Sequence, residues 1–181
     1  MVINAINIER GMKKAVAEAL NRTAANMKQI FIKIIQKKYG LTAQGAVYIA
    51  DTRMSMKRAT PENLKAALVP SRRVVPLIFF NAVQDRSMPG TSVEVLRGKP
   101  QLIKHAFIPK SKGGVLYQSP KSGLPGVFKR IGGGRPQKIT LQGGVPFRQM
   151  FMESIPEADK MMPAILERNI QKEITREHRN V

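Results

Sequence analysis

The chain contains no cysteine and no tryptophan. The first absence removes disulfides, thiolate metal sites and thiol nucleophiles together. No apolar run approaches the roughly 18–20 residues that a helical membrane span needs. The N-terminus, MVINAINIERGMKK, begins apolar and then turns charged, the reverse of a secretory signal, and no small-residue cleavage site follows. The expectation is a protein with no membrane partner, made and kept in the cytoplasm or assembled from there. Acid is scarce in the middle of the chain: Glu94 is the only Asp or Glu between residues 91 and 150, so nothing there points to a two-carboxylate acid–base pair. The only histidines, His105 and His178, have no partner at metal-ligand or relay spacing. No serine sits in a GxSxG context. These gaps point away from an enzyme. No catalytic residue, metal ligand or cofactor-binding residue is expected.

What is abundant is positive charge. Thirty-one Lys and Arg against twelve Asp and Glu leave a formal charge of +19. It is unevenly spread: residues 91–150 hold eleven bases and one acid, whereas residues 151–181 hold five bases and six acids. A cationic block attracts polyanions, either nucleic acid or an acidic protein surface. The chain is not a disordered polyelectrolyte, because 43% of its residues are apolar, enough to build a core. A length of 181 residues suits one domain spanning 1–181.

Within that domain the periodicities change twice. Met12, Val16, Leu20, Ala24, Met27, Phe31 and Ile34 recur at steps of three and four, the spacing of one helix face. This predicts a helix from Ile8 to Lys38 ended by Gly40 as a C-cap. Thr42 is placed to cap a second, short helix running to Asp51. Arg53 to Ala59 alternates as a strand does, and Pro61 opens a turn. From residue 64 to 143 the pattern becomes LKAALVPS, VVPLIFFNA, SVEVLRG, KHAFIPK, GVLYQS, GVFKRI and QKITLQG. These short runs are separated by Gly- and Pro-rich clusters, the signature of antiparallel hairpins. Phe79, Phe80, Phe107 and Phe128 read as strand core. After Pro146 the chain is helical again. Pro156 and Pro163 are expected to break it, each opening a new helical piece, and Met162, Leu166, Ile170 and Ile174 form an apolar stripe at steps of four. The prediction is an α+β fold: an antiparallel sheet with hairpins, flanked by a long N-terminal helix (1–40) and a C-terminal helical region (147–181), with 41–146 mainly β and carrying basic hairpin loops.

VFKRIGGGRPQKI, Val127 to Ile139, holds three consecutive glycines between basic pairs. A P-loop needs a lysine and then Ser or Thr directly after its last glycine. Here Arg135 and Pro136 follow, and Pro136 supplies no amide. A dinucleotide loop would lead into a helix, whereas QKITL reads as strand. The segment is therefore expected to be a hairpin. Lys110, Lys112, Lys121, Lys129, Arg130, Arg135 and Lys138 fall in loops and strand ends of this block. They form the candidate basic surface, facing nucleic acid, an acidic protein or only solvent. No zinc finger, RNP-type aromatic pair or helix-turn-helix accompanies them. Met54, Met56, Met150, Met152, Met161 and Met162 come in near pairs, suited either to core filling or to adaptable interfaces.

Taken in order, ALNRTA (Ala19–Ala24), RATPENLKAAL, VVPLIFFNA, SVEVLRGKPQLIKHAFI and GVFKRIGGGRPQKITLQGGVP resemble the prophage minor tail protein Z family of tailed bacteriophages over residues 15 to 150. The resemblance implies a structural virion protein of the tail or neck. It implies a subunit that completes the head-proximal end of the tail and helps join tail to head, assembled in the host cytoplasm. It implies no cofactor and no catalytic residue. The implied partners are further copies of the chain in a homo-oligomeric ring, often sixfold, and neighbouring tail-tube, terminator or head-completion proteins. Passing DNA is a further, non-specific contact. On that basis Lys129, Arg130, Arg135 and Lys138 are expected at an assembly interface or lining a lumen. The alternative from charge alone is a basic nucleic-acid-binding protein without enzymatic activity.

Overall fold

The computed structural model describes residues 2–84, 87, 89–109, 126–131 and 138–179. The fold is α+β, with long helices at both ends and small antiparallel sheets between them. Helix α1 (Val2–Lys38) is followed by α2 (Ala43–Thr52). Nine short strands come next among the described residues: β1 (Met54–Lys57), β2 (Ala67–Pro70), β3 (Val74–Val75), β4 (Gly90–Leu96), β5 (Lys99–Lys104), β6 (Ala106–Phe107), β7 (Phe128–Ile131), β8 (Lys138–Leu141) and β9 (Val145–Pro146). Helix α3 (Phe147–Arg179) follows them. The strands form three antiparallel pairs, β1–β2, β3–β9 and β4–β5, and one three-stranded sheet in the order β6–β7–β8. The chain folds as two compact units. One comprises Met1–Ile34, Ala50–Ser71 and Phe151–Val181; the other comprises Ile35–Ile49 and Arg72–Met150.

In the first unit α1 and α3 run antiparallel. Phe31 stacks on Phe151 with ring centroids 4.3 Å apart. Further along, Asn169 Nδ2 donates to Thr23 Oγ1 at 3.0 Å and Arg22 lies 2.8 Å from Glu173. The interior here is small and apolar, with Ala15, Ala19, Ala24, Met27 and Ala158 buried. Proline does not break α3, contrary to the sequence expectation: the helix is continuous through Pro156 and Pro163. Both prolines are exposed. The residues whose carbonyls they deprive of an amide partner, Met152 and Asp159, are exposed as well, so the lost bonds fall on the solvent-facing side of the helix, where they cost least. In the apolar stripe Leu166 and Ile170 are half-buried. The buried seam is Phe151, Ser154, Ala158, Asn169 and Glu173, whereas Met162 and Ile174 are exposed.

In the second unit β4 is the organising strand. It pairs with β5 on one side. On the other, Gly40 donates to Val95 O at 3.2 Å, Glu94 donates to Phe80 O at 2.9 Å, and Val83 and Ser92 exchange backbone bonds at 2.8 Å. Gly40 is thus needed for a reason other than capping. Among the described glycines the left-handed one is Gly98, at φ 75°; a Cβ at Gly40 would collide with the carbonyl oxygen of Glu94. Thr42 does cap α2 as expected, its Oγ1 accepting from Gly45 N at 3.0 Å. VVPLIFFNA is less of a strand than expected: only Val74–Val75 pairs, and Leu77–Phe79 makes a 3-10 turn. Pro76 lacks the amide a ladder needs. Phe79 and Phe80 are nevertheless core, 8% and 0% exposed.

Gly144 shows how tightly β3 and β9 meet. A Cβ there would sit inside the Val75 carbonyl, whereas one at Gly143 would meet nothing within 4 Å. Gly144→Ala is expected to cost about 1–3 kcal/mol through enforced overpacking, and Gly143→Ala well under that. Paired urea melts check it; equal costs would contradict the β3–β9 approach.

Candidate functional site

The hairpin expected at Val127–Ile139 is present. β7 and β8 pair antiparallel with Phe128 opposite Leu141, Lys129 opposite Thr140, Arg130 opposite Ile139 and Ile131 opposite Lys138. The register separates the basic positions. Because successive residues alternate faces, positions 129 and 138 share one face with Ile131, and position 130 shares the other with Ile139 and Leu141. Lys129 is half-buried. Of the remaining candidate residues, Lys110, Lys112, Lys121 and Arg135 lie outside the described residues, as does the expected strand GVLYQS.

The ribbon's apolar residues are the more informative ones, and sequence reasoning missed them. Ile131, Ile139 and Leu141 are 51%, 56% and 43% exposed. Strand β8 is the outer strand of its sheet, so one row of its backbone groups has no strand neighbour among the described residues. Alternation in KITL reads as one face turned inward. Instead Phe128 is buried on that face while Ile139 and Leu141 are exposed, with Gly126 drawn close to Leu141 Cδ1 and the Phe128 ring.

A second feature lies in the first unit. An open apolar groove of about 230 Å³ runs between α1, β2 and α3. Phe31, Leu68, Met162 and Leu166 wall it, Ala24 and Ala67 leave the room, and Asp159 is the charged residue in its lining. The methionine pairs explain part of this: Met54 and Met150 are core, at 3% and 0% exposure, whereas Met152, Met161 and Met162 are 41–52% exposed along α3.

Two groups that suggest chemistry have structural explanations. Glu94 accepts from Gly98 N at 2.5 Å and from Asn81 Nδ2 at 2.8 Å, closing the β4–β5 turn. The Gly98 amide first, then the Asn81 amide, hold its pKa below the usual glutamate value; slight desolvation opposes them and Arg97 adds to them. A depressed carboxylate stabilises the fold above its unfolded pKa, and that contribution disappears as pH falls through the folded one. Glu94→Gln is therefore expected to lower stability near neutral pH and to flatten the loss in the acid range below the ordinary glutamate pKa. Thermal melts across that range check it, and parallel wild-type and variant curves would contradict it. His105 takes φ 62° between β5 and β6, its backbone N–H donating to Pro89 O at 2.8 Å; it turns the chain. Among the described residues no group of three His, Asp or Glu is placed to hold a metal ion, and no helix is long and apolar enough to cross a membrane.

The strings that carry the family resemblance fall on joints of the fold. In ALNRTA, Asn21 clamps Ala59 by donating to its carbonyl at 3.0 Å and accepting from its N–H at 2.7 Å. Arg22 pairs with Glu173, whose side chain is 3% exposed. The pair is an ion pair at 2.8 Å. Thr23 receives Asn169. VPLIFF supplies the core of the second unit, and the GGVP segment makes the β3–β9 approach. No protein-family model, curated protein or solved structure matches the chain.

Proposed function

We propose that the chain is a structural subunit of a tailed-bacteriophage virion. It acts at the head-proximal end of the tail or in the neck, where copies assemble into a ring that finishes the tail and helps join it to the head. One observation carries the assembly part of this reading: the outer strand β8 presents Ile139 and Leu141 to solvent beside an edge with no strand neighbour among the described residues. A strand with exposed apolar side chains and unpaired N–H and C=O groups is a template for another chain, and contiguous apolar exposure marks an interaction surface. The order of the resembling strings supports the phage assignment. Ring closure requires two different faces meeting at a fixed rotation, and the ribbon and the groove are two such faces. The solution mass of the purified chain tests the reading. A discrete multiple of the 20.2 kDa protomer is expected; a monomer at all concentrations would overturn it.

The charge of +19 favours a second reading, a non-specific nucleic-acid-binding protein. Neutralising phosphates releases counterions, so the log of affinity falls steeply with the log of salt. Binding to random duplex DNA that survives physiological salt and shows that slope would move this reading to the front. For a subunit past which DNA only slides, the expected result is weak binding lost at that salt.

A further inference from the structure

We propose that the β7–β8 ribbon of one copy docks in the α1–β2–α3 groove of the next, with β8 alongside β2 and Ile139 and Leu141 inserted into the groove. This docking rests on the self-assembly reading above and names its two surfaces.

Three observations lead to this occupant. The first is shape. The groove holds about 230 Å³; an apolar cavity of about 150 Å³ accepts a benzene-sized group, so this one takes one or two aliphatic side chains. Ile139 and Leu141 are two residues apart on one strand and project to the same side, about 7 Å apart. The second is backbone. Strand β2 borders the groove through Ala67 and Leu68, and β1 is its only strand neighbour among the described residues. Strand β8 likewise has only β7 among them. Each edge offers the amides and carbonyls that the other lacks.

The third is charge. β7 and β8 contain Lys129, Arg130 and Lys138 and no acid. The groove is lined by Asp159, on the stretch of α3 from 151 to 162 that contains Glu153, Glu157 and Asp159 against Lys160 alone. In a chain so basic, residues 151–181 are a region where acids outnumber bases. Of the ribbon's bases, position 130 shares the face of Ile139 and Leu141 by register, so a ribbon with no acid and a groove whose charged lining residue is Asp159 are complementary to each other and not to themselves. The contact is therefore heterologous, the head-to-tail kind that builds rings.

The absence of native cysteine makes the test clean. An Ile139→Cys chain and a size-tagged Met162→Cys chain, both altered at exposed positions, are mixed in equal amounts at the concentration where light scattering shows oligomers. They are then oxidised gently. The mixed disulfide is expected to exceed either homodimer several-fold. A dominant Ile139→Cys homodimer would show that ribbons pair with one another and would overturn the proposal. Oligomers that persist with no mixed disulfide would overturn the docking while leaving the ring reading in place. Chains that stay monomeric throughout would remove both.

Discussion

Truncating Phe31 to alanine will lower the stability of the protein by about 3–5 kcal/mol, the range for removing a buried phenyl group. Phe31 is 6% exposed and stacks on Phe151 at 4.3 Å with 22° between the rings, so the loss includes the aromatic pair, about 0.5–1.5 kcal/mol of it. The neighbouring seam is built from alanines at 19, 24 and 158, which have no side-chain length with which to fill the space. Measured against a total of about 5–15 kcal/mol for a domain, this change brings α1 and α3 close to parting. A urea titration reads it as a lower midpoint at unchanged slope. Phe107→Ala is the comparison: that ring is half-buried and meets Phe128 at 6.3 Å, so its loss costs clearly less. Equal effects, or a Phe31→Ala cost under about 1 kcal/mol, would contradict the packing of the two long helices.

Replacing Ile139 and Leu141 together by aspartate will abolish self-association and leave the melting temperature of the protomer nearly unchanged. Ile139 is 56% and Leu141 43% exposed; surface substitutions alter stability by about 0.5 kcal/mol or less, with Leu141, which lies against Gly126, the costlier of the two. At an interface the same change buries two unpaired carboxylates, which costs several kcal/mol and dissociates most complexes. Sedimentation of the double variant beside the parent chain checks it. A variant that assembles as the parent does would take β8 out of the interface. One that unfolds would mean the ribbon is core after all.

Much of the architecture is legible in the sequence because local rules and tertiary packing agree there. The period of α1, the Thr42 cap, the strands around SVEVL and the VFKRI–QKITL hairpin all follow from pattern and turn chemistry. Three features do not. Pro156 and Pro163 read as breaks, but breaks depend on which side of the helix the freed carbonyls face, and that is fixed only by packing. Gly40 reads as a cap because a glycine after a helix usually is one; its real constraint, the nearness of the Glu94 backbone, comes from a strand distant in the sequence. The stripe Met162, Leu166, Ile170, Ile174 reads as the apolar face of an amphipathic helix, and it is only half-buried at Leu166 and Ile170. The observed seam instead carries Ser154, Asn169 and Glu173; Asn169 and Glu173 are matched by Thr23 and Arg22 across the helix pair. The candidate site is legible only as charge. Its apolar part, Ile131, Ile139 and Leu141, is hidden by the assumption that alternating apolar residues face inward, which fails for an outer strand with one side left uncovered.

A chain that completes the head-proximal end of a phage tail should be dispensable for filling heads and indispensable for finished virions. Negative-stain microscopy of lysates from a phage deleted for the gene puts that to the test. Filled heads with separate or malformed tails are expected, tail length then distinguishing loss of capping from loss of joining. Normal, intact virions would contradict the assignment.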